Sequence, residues 1–469
     1  MRRFIALATF VVMLSACLAQ ARAIPLQRNE GTRPSRRSLD LAIYGCGISF
    51  GDSPRFTGLR FNVSDRRIEE INGLNVTFWQ PGRRVGGRIR GIALGLYGPR
   101  ADELAGISIG GAVTVASSEI TGISTAGLAV VSDGSISGIA VGGLASVAGD
   151  GADGIIAGGL ASVIEGPMNG ISAGGLASVI EGPMSGISAG GLASVIEGRM
   201  SGITVGGLAS VVEGGFSGIS AGGLASVVEG RMSGITVGGL ASVVEGGFSG
   251  ISAGGLASVV EGRMSGISIG GLASVVEGDF SGITAGGLAS VVEGNASGIV
   301  ASGLASIVED DISGIVLTGG AAVSQGDISG IAIGGIGMIA HTESFHSEDA
   351  FDLTLSYIGL EARNARWLTI HGVYISVGER LEGFGAAGIG VRADEIKGAA
   401  LAGILVKAHT LTGFSGGAVN YFDDCQVGLS IGIVNVAQRL NGIQLGLINI
   451  AKNNPPPFKV LPIINARFE

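Results

Sequence analysis

"GGLASVVEGRMSGITVGGLASVVEGGFSGISAGG", Gly222 to Gly255, begins to spell itself again after sixteen residues. The order is fixed: Gly-Gly, Leu-Ala-Ser-Val-Val, Glu-Gly, two variable residues, Ser-Gly, then an apolar residue. Outward from this stretch the marker Ile recurs at Ile107, Ile123, Ile139, Ile155 and on to Ile331, every step sixteen residues. In the middle the copies alternate, Arg199-Met200 then Gly215-Phe216, so a 32-residue pair is the larger unit. Period decides architecture before any local propensity does. Such a unit cannot bury its apolar residues alone, but stacked on copies of itself it can.

One copy, "GITVGGLASVVEG", reads as two short strands. Ile and the Val two places on share a face, as strand alternation demands. Gly-Gly marks a bend. Leu-Ala-Ser-Val-Val, β-branched at its end, makes the second strand, and Glu-Gly with two variable residues closes the coil. Two glycine sites per sixteen residues make a helix of normal length costly. The repeat also continues in degenerate form. Copies start at Leu353, Leu368, Phe384, Ala399, Phe414 and Leu429, and "GIQLGLINIA" from Gly442 has the same shape. Upstream, Leu59, Leu74 and Ile92 fit, with Leu41 a weaker candidate.

The expected fold is therefore all-β, a single long parallel β-solenoid of about 26 rungs with 14–16 residues each. Its segments are degenerate N-terminal repeats at 41–106, regular repeats at 107–340, an inserted loop at 341–352, degenerate C-terminal repeats at 353–452 and a C-terminal cap at 453–469. The inward residues are expected to be small, because a sixteen-residue rung leaves little room for aromatics. The Ser column from Ser162 to Ser306, with Asn435 and Asn449 at the same place, is expected to satisfy corner backbone groups. The alternative is an antiparallel outer-membrane β-barrel with one strand per copy. Small residues on its lipid side (Gly207, Ala209), the lack of Trp and Tyr girdles in the central copies, and uniformly short connections count against it.

Composition agrees with a repeat. Gly is 87 of 469 residues without the three-residue spacing of collagen. Hydrophobic residues are 46% and aromatics only 5%, so the apolar mass is Ile, Val, Leu and Ala, too apolar for a disordered chain. A net charge of −9 argues against nucleic acid as a partner.

The first residues read as an export signal: Arg2 and Arg3, an apolar run from Phe4 to Leu14, then small residues. Ala21-Arg22-Ala23 predicts a signal peptide over 1–23. Leu14-Ser15-Ala16-Cys17 predicts instead removal of 1–16 and a lipidated Cys17 holding the chain at an outer membrane. Residues 24–40 read as a flexible leader. Cys46 and Cys425 are too far apart in sequence to form a disulfide framework.

At the C-terminal copies, "GLSIGIVNVAQRLNGIQLGLINIAKNNPPPFKVLPIINARFE" from Gly428 resembles the ending of a bacterial family of exported surface-repeat proteins, whose units read like "GLQLGLINIA". "FTGLRFNV" at Phe56 and "INGLNVTFW" at Ile71 resemble that family's N-terminal units. The resemblance covers the flanks, about a third of the chain. The Glu-bearing copies depart from it and look more like head repeats of trimeric adhesins, without their stalk or anchor. The resemblance implies export and a location at the cell surface, outer membrane or periplasm of a bacterium. It supplies no catalytic residues.

Candidate chemistry is sparse. One Glu per copy forms a column in which Glu197, Glu213, Glu229, Glu245 and Glu261 are candidate Ca²⁺ ligands, since that cation takes several oxygens. Against this stands the plainer role of a solvated acidic edge. "HTESFHSED" offers His341, Glu343 and His346 as candidate Zn²⁺ ligands at a spacing that matches no strong motif. The hydroxyl row Ser172, Ser188, Thr204, Ser220, Thr236, Ser252, Ser268 and Thr284 is expected to face outward, as an ice-binding solenoid would have it. No nucleophile elbow, H-E-x-x-H, Walker or dinucleotide pattern stands in a fitting context. The expectation is a non-enzyme acting on an unknown surface ligand or protein partner as a scaffold or adhesion module through its repeat columns. The alternatives are a barrel channel and a cation- or ice-binding solenoid.

Overall fold

The computed structural model describes residues 38–43, 46–82, 85–326, 328–340 and 353–468. The described residues are all-β with no helix, and the fold is a parallel β-solenoid of about 23 turns, close to the 26 rungs expected. Parallel pairing of successive turns excludes the antiparallel barrel. The chain divides into two compact units, 1–238 and 239–469.

In the first unit the expected marker residues stack in register. Leu59 pairs with Leu74, Leu74 with Ile92, and Ile92 with Ile107. The ladder then runs Ile155, Ile171, Ile187, Ile203, Ile219 and Ile235. A second ladder stacks Ala161–Ile164 on Ala177–Ile180 and onward to Ala225–Val228. Leu41 is not a copy. It lies in Ser38–Ile43, antiparallel to Cys46–Gly51 and opposite Ile48, and it is Ile48 that stacks on Leu59. The end of the stretch read as leader, Ser38 to Asp40, is thus strand that covers the first turn.

In the second unit Ile331 pairs directly with Leu353, so the ladder continues across the inserted segment, which itself lies outside the described residues. Leu368, Phe384, Ala399, Phe414, Leu429 and Ile443 follow in register. Val460–Arg467 then turns antiparallel onto Val434–Ala451. Pro462 lies within it and has no N–H to offer a further strand, one of the standard ways to blunt a sheet edge.

Each regular turn is a flattened wedge. Its wide end holds an inward column of Met168, Met184, Met200, Phe216 and Met232, packed near Ile180, Ile196 and Val212. The expectation of an interior too thin for aromatics fails here, because Phe216, Phe248 and Phe280 are buried. From Met200 to Phe280 Met and Phe alternate, so a flexible thioether lies above and below Phe216 and Phe248, while Phe280 has Met264 on one side and Ala296 on the other. At the narrow end two hydroxyl columns meet. Ser172 lies 2.9 Å from Ser162 and 2.8 Å from Ser178, Ser188 lies 3.0 Å from Ser178 and 2.7 Å from Ser194, and the zigzag goes on through Thr204 and Ser210.

The row expected to face outward is therefore fully buried, and the marker Ile that precedes it points to solvent. The physical reason is width. Two facing Ser fit where backbones nearly touch, and each supplies the other's hydrogen bond, whereas two facing Ile would not fit. The Ser column likewise bonds across the interior rather than to the corner backbone. The Asn column does what was expected of both: Asn435 donates to Asn449 at 2.7 Å and to the Leu445 carbonyl at 2.9 Å.

Glycine stands at two tight places in most turns of the coil. At Gly170, φ is +124°, and a Cβ would sit 2.1 Å from the carbonyl oxygen of Gly154 one turn below. At Gly174 it would sit 1.7 Å from the Ala177 carbonyl oxygen across the bend. No side chain fits either position in this turn; elsewhere Trp367, at φ 59°, takes the first place and Ser302 and Thr318 the second.

Candidate functional site

The glycine bends leave two kinds of outward column. The first is the Glu corner. Glu165, Glu181, Glu197, Glu213 and Glu229 each donate their backbone N–H at 2.9 Å to the turn below, which fixes one exposed carboxylate per turn. Glu245 and Glu261 occupy the same position in the second unit. Partial burial, then the charges of Glu197 and Glu165, push the Glu181 carboxyl above its ordinary value. The column is thus an acidic ladder whose members repel one another. Among the described residues no group of three or more His, Cys, Asp or Glu side chains is assembled to hold a metal ion. His341, Glu343 and His346 lie outside the described residues.

The second kind is apolar. Ile171 and Ile219 are 39% and 41% exposed, and Leu176 beside the Gly-Gly bend is 46% exposed. Between them lies a column of Ala173, Ala189, Val205, Ala221 and Val237. In the second unit the same face carries a groove of about 560 Å³ where Ala285 and Ala301 lie between Ile269 and Leu317. A branched aliphatic residue at a fixed place in every regular copy signals this face, but that signal reads equally as core.

His371, Tyr421, Asp424, Cys46 and Cys425 are not brought together into a catalytic constellation. His371 is buried, with Nδ1 2.6 Å from Ser356 Oγ and Nε2 3.4 Å from Thr354 Oγ1. Ser356 Oγ donates to the Gly359 carbonyl at 2.9 Å, so the imidazole donates to the serine rather than accepting from it. Burial lowers the His371 pKa to about 4. It is a neutral core histidine. Tyr421 lies under the Lys407 ammonium, 5.6 Å from the ring centre, and Asp424 receives Arg439 Nε at 2.9 Å. Cys46 is exposed and Cys425 half-buried, both as free thiols.

Two polar clusters escaped sequence reading. Arg60 is fully buried near the N-terminal end of the first unit, with Nη1 2.7 Å from Asn75 Oδ1 and ion pairs to Asp65 and Asp52. In the second unit Arg366, Arg380, Glu379, Glu382, Asp394 and Glu395 line a charged cleft of about 360 Å³. Burial works against ionised Glu395, but hydrogen bonds from Arg380 at 2.6 Å and Lys397 at 3.4 Å outweigh it and hold the carboxyl below its ordinary value. Arg60 and Arg380 are paired within their clusters, although Arg60 Nε is buried without a hydrogen-bond partner among the described residues. Single charged residues in degenerate copies carry no periodic mark, so nothing in the sequence brings these partners together.

No family model, curated protein or solved structure matches the chain. Function must therefore be argued from the columns.

Proposed function

We propose that the chain is a non-enzymatic, exported surface-repeat protein that acts as a scaffold or adhesion module. The observation that carries this is the register: identical outward side chains recur at one strand spacing, turn after turn, on a surface built by repetition. Weak contacts made in parallel along such columns add through multivalency. The basic, apolar and small-residue start of the chain supports export, with either release after Ala23 or lipidation at Cys17. The hydroxyl row on which the ice-binding alternative rested is buried, which favours the scaffold reading over it.

The test is a deletion series. Removing 32-residue pairs within 169–232 keeps the register and shortens the columns. Cells displaying the chain should adhere progressively less as pairs are removed. Adhesion that is indifferent to the number of pairs, or absent from the full-length display, refutes the proposal.

A further inference from the structure

We infer that the apolar face of the regular turns is a self-association surface, and that its occupant is the same face of a second copy of this chain. The inference deepens the scaffold reading by naming the surface and the partner.

The face is unusual for a free surface. In the first unit the marker column from Ile107 to Ile235 extends about 38 Å at the usual strand spacing of ~4.8 Å, and Ile171 to Leu176 spans about 16 Å along the chain. Because the 16 Å runs around the Gly174–Gly175 bend, the product of about 600 Å² is the upper limit of the face, at the upper end of the roughly 300–600 Å² that the largest apolar patch on a monomer covers. Two such faces bury up to about 1,200 Å², against the ~1,000 Å² expected of a specific interface.

The relief is self-complementary. The Ile ridge runs beside a shallower Ala and Val column, and in both copies the pitch is one strand spacing. A two-fold axis lying in the interface, parallel to the columns, sets each ridge into the other copy's valley, as an isologous contact requires. Val141, Val205 and Val237 interrupt the Ala column, so not every one-turn slip is equivalent, and the register is restricted.

Charge favours a second copy over a lipid surface. The Glu ladder lies at the corner after the second strand, off the apolar face, and would remain solvated at the rim of a dimer. The same ladder would repel an anionic membrane. An antiparallel strand stacks on the last turn, and Pro462 blunts its outer edge against end-to-end association.

The test is sedimentation equilibrium of the full chain, beside Ile171→Lys/Ile203→Lys/Ile235→Lys and the milder Ile171→Thr/Ile203→Thr/Ile235→Thr. All three positions point to solvent, so both variants should keep the wild-type circular dichroism and melting temperature. The wild type should sediment as a dimer, the Lys variant as a monomer, and the Thr variant should dissociate at least tenfold more readily. A monomeric wild type, or variants that dimerise as it does, overturns the inference. A monomer that floats with neutral phosphatidylcholine vesicles overturns it in favour of lipid. A monomer that still adheres in the deletion assay refutes self-association alone and leaves the scaffold reading standing.

Discussion

Replacing Ser194 by alanine cuts two links of the buried hydroxyl chain, at 2.7 Å to Ser188 and 2.9 Å to Thr204. Both neighbours keep one partner, Ser178 and Ser210 respectively. At about 1 kcal/mol net per neutral hydrogen bond, the loss is about 2 kcal/mol. Ser188→Ala likewise cuts two links, but the double variant cuts only three, since the link between them is shared. It should cost about 3 kcal/mol rather than the ~4 of two independent losses, a coupling of about 1 kcal/mol. Ser188→Ala with Ser210→Ala shares no link and should reach the full ~4 kcal/mol. A repeat array has no single unfolding free energy, so the readout must be local. Native-state hydrogen exchange of the Ala193–Ile196 amides serves, because each 1.4 kcal/mol is tenfold in an opening constant. The single variant should speed exchange about 30-fold, the adjacent double about 160-fold and the separated double nearly 1,000-fold. Equal acceleration by the two doubles would show that the hydroxyls are not energetically linked. No acceleration at all would show that removing buried hydroxyls repays the lost bonds, and the zipper would then not hold the wedge closed.

Three further outcomes follow from the same geometry. Gly202→Ala places a Cβ 2.0 Å from the Gly186 carbonyl oxygen at a φ of +132°; the backbone strain alone costs about 1–3 kcal/mol, and exchange in Ala193–Ile196 and Met200–Gly206 should rise at least tenfold while distant turns stay protected. His371 binds its proton with a pKa near 4 when folded against an ordinary value of 6.5, so the unfolded chain holds more protons between those limits. Stability of the second unit should be full above pH 6.5 and fall by at most about 1.4 kcal/mol per pH unit down to pH 4; a His371→Asn variant, measured by denaturant unfolding, should lose that slope. Glu181 has its carboxyl raised, so repulsion is present when it is ionised and relieved as pH falls through its raised pKa; Glu181→Gln should melt higher than the wild type at neutral pH, and the gain should shrink in high salt.

How much of this was legible in the sequence differs by level. The period was legible because stacking makes each residue's environment a copy of its neighbour's, so selection for the fold writes the same letter at the same place. That is why even Ala399, which shares no side chain with Ile443, could be aligned before its ladder was seen. The phase was not legible. Ile171 and Ser172 alternate on one strand, and hydrophobicity alone places the Ile inside. What inverts them is Gly174, two residues on, where even a Cβ cannot fit. The bend brings the two strands so close that paired hydroxyls fill the space between them in most regular turns, with Ile156, Val300 and Val316 buried at the same place in others. The glycines that were read as corners thus also set the interior width, and the interior width decides which face becomes the surface. A repeat written to keep its bends tight and its inner column small turns the marker Ile outward. In every regular turn it does so at the same place, and the apolar face that results is the part of this protein with the most to recognise.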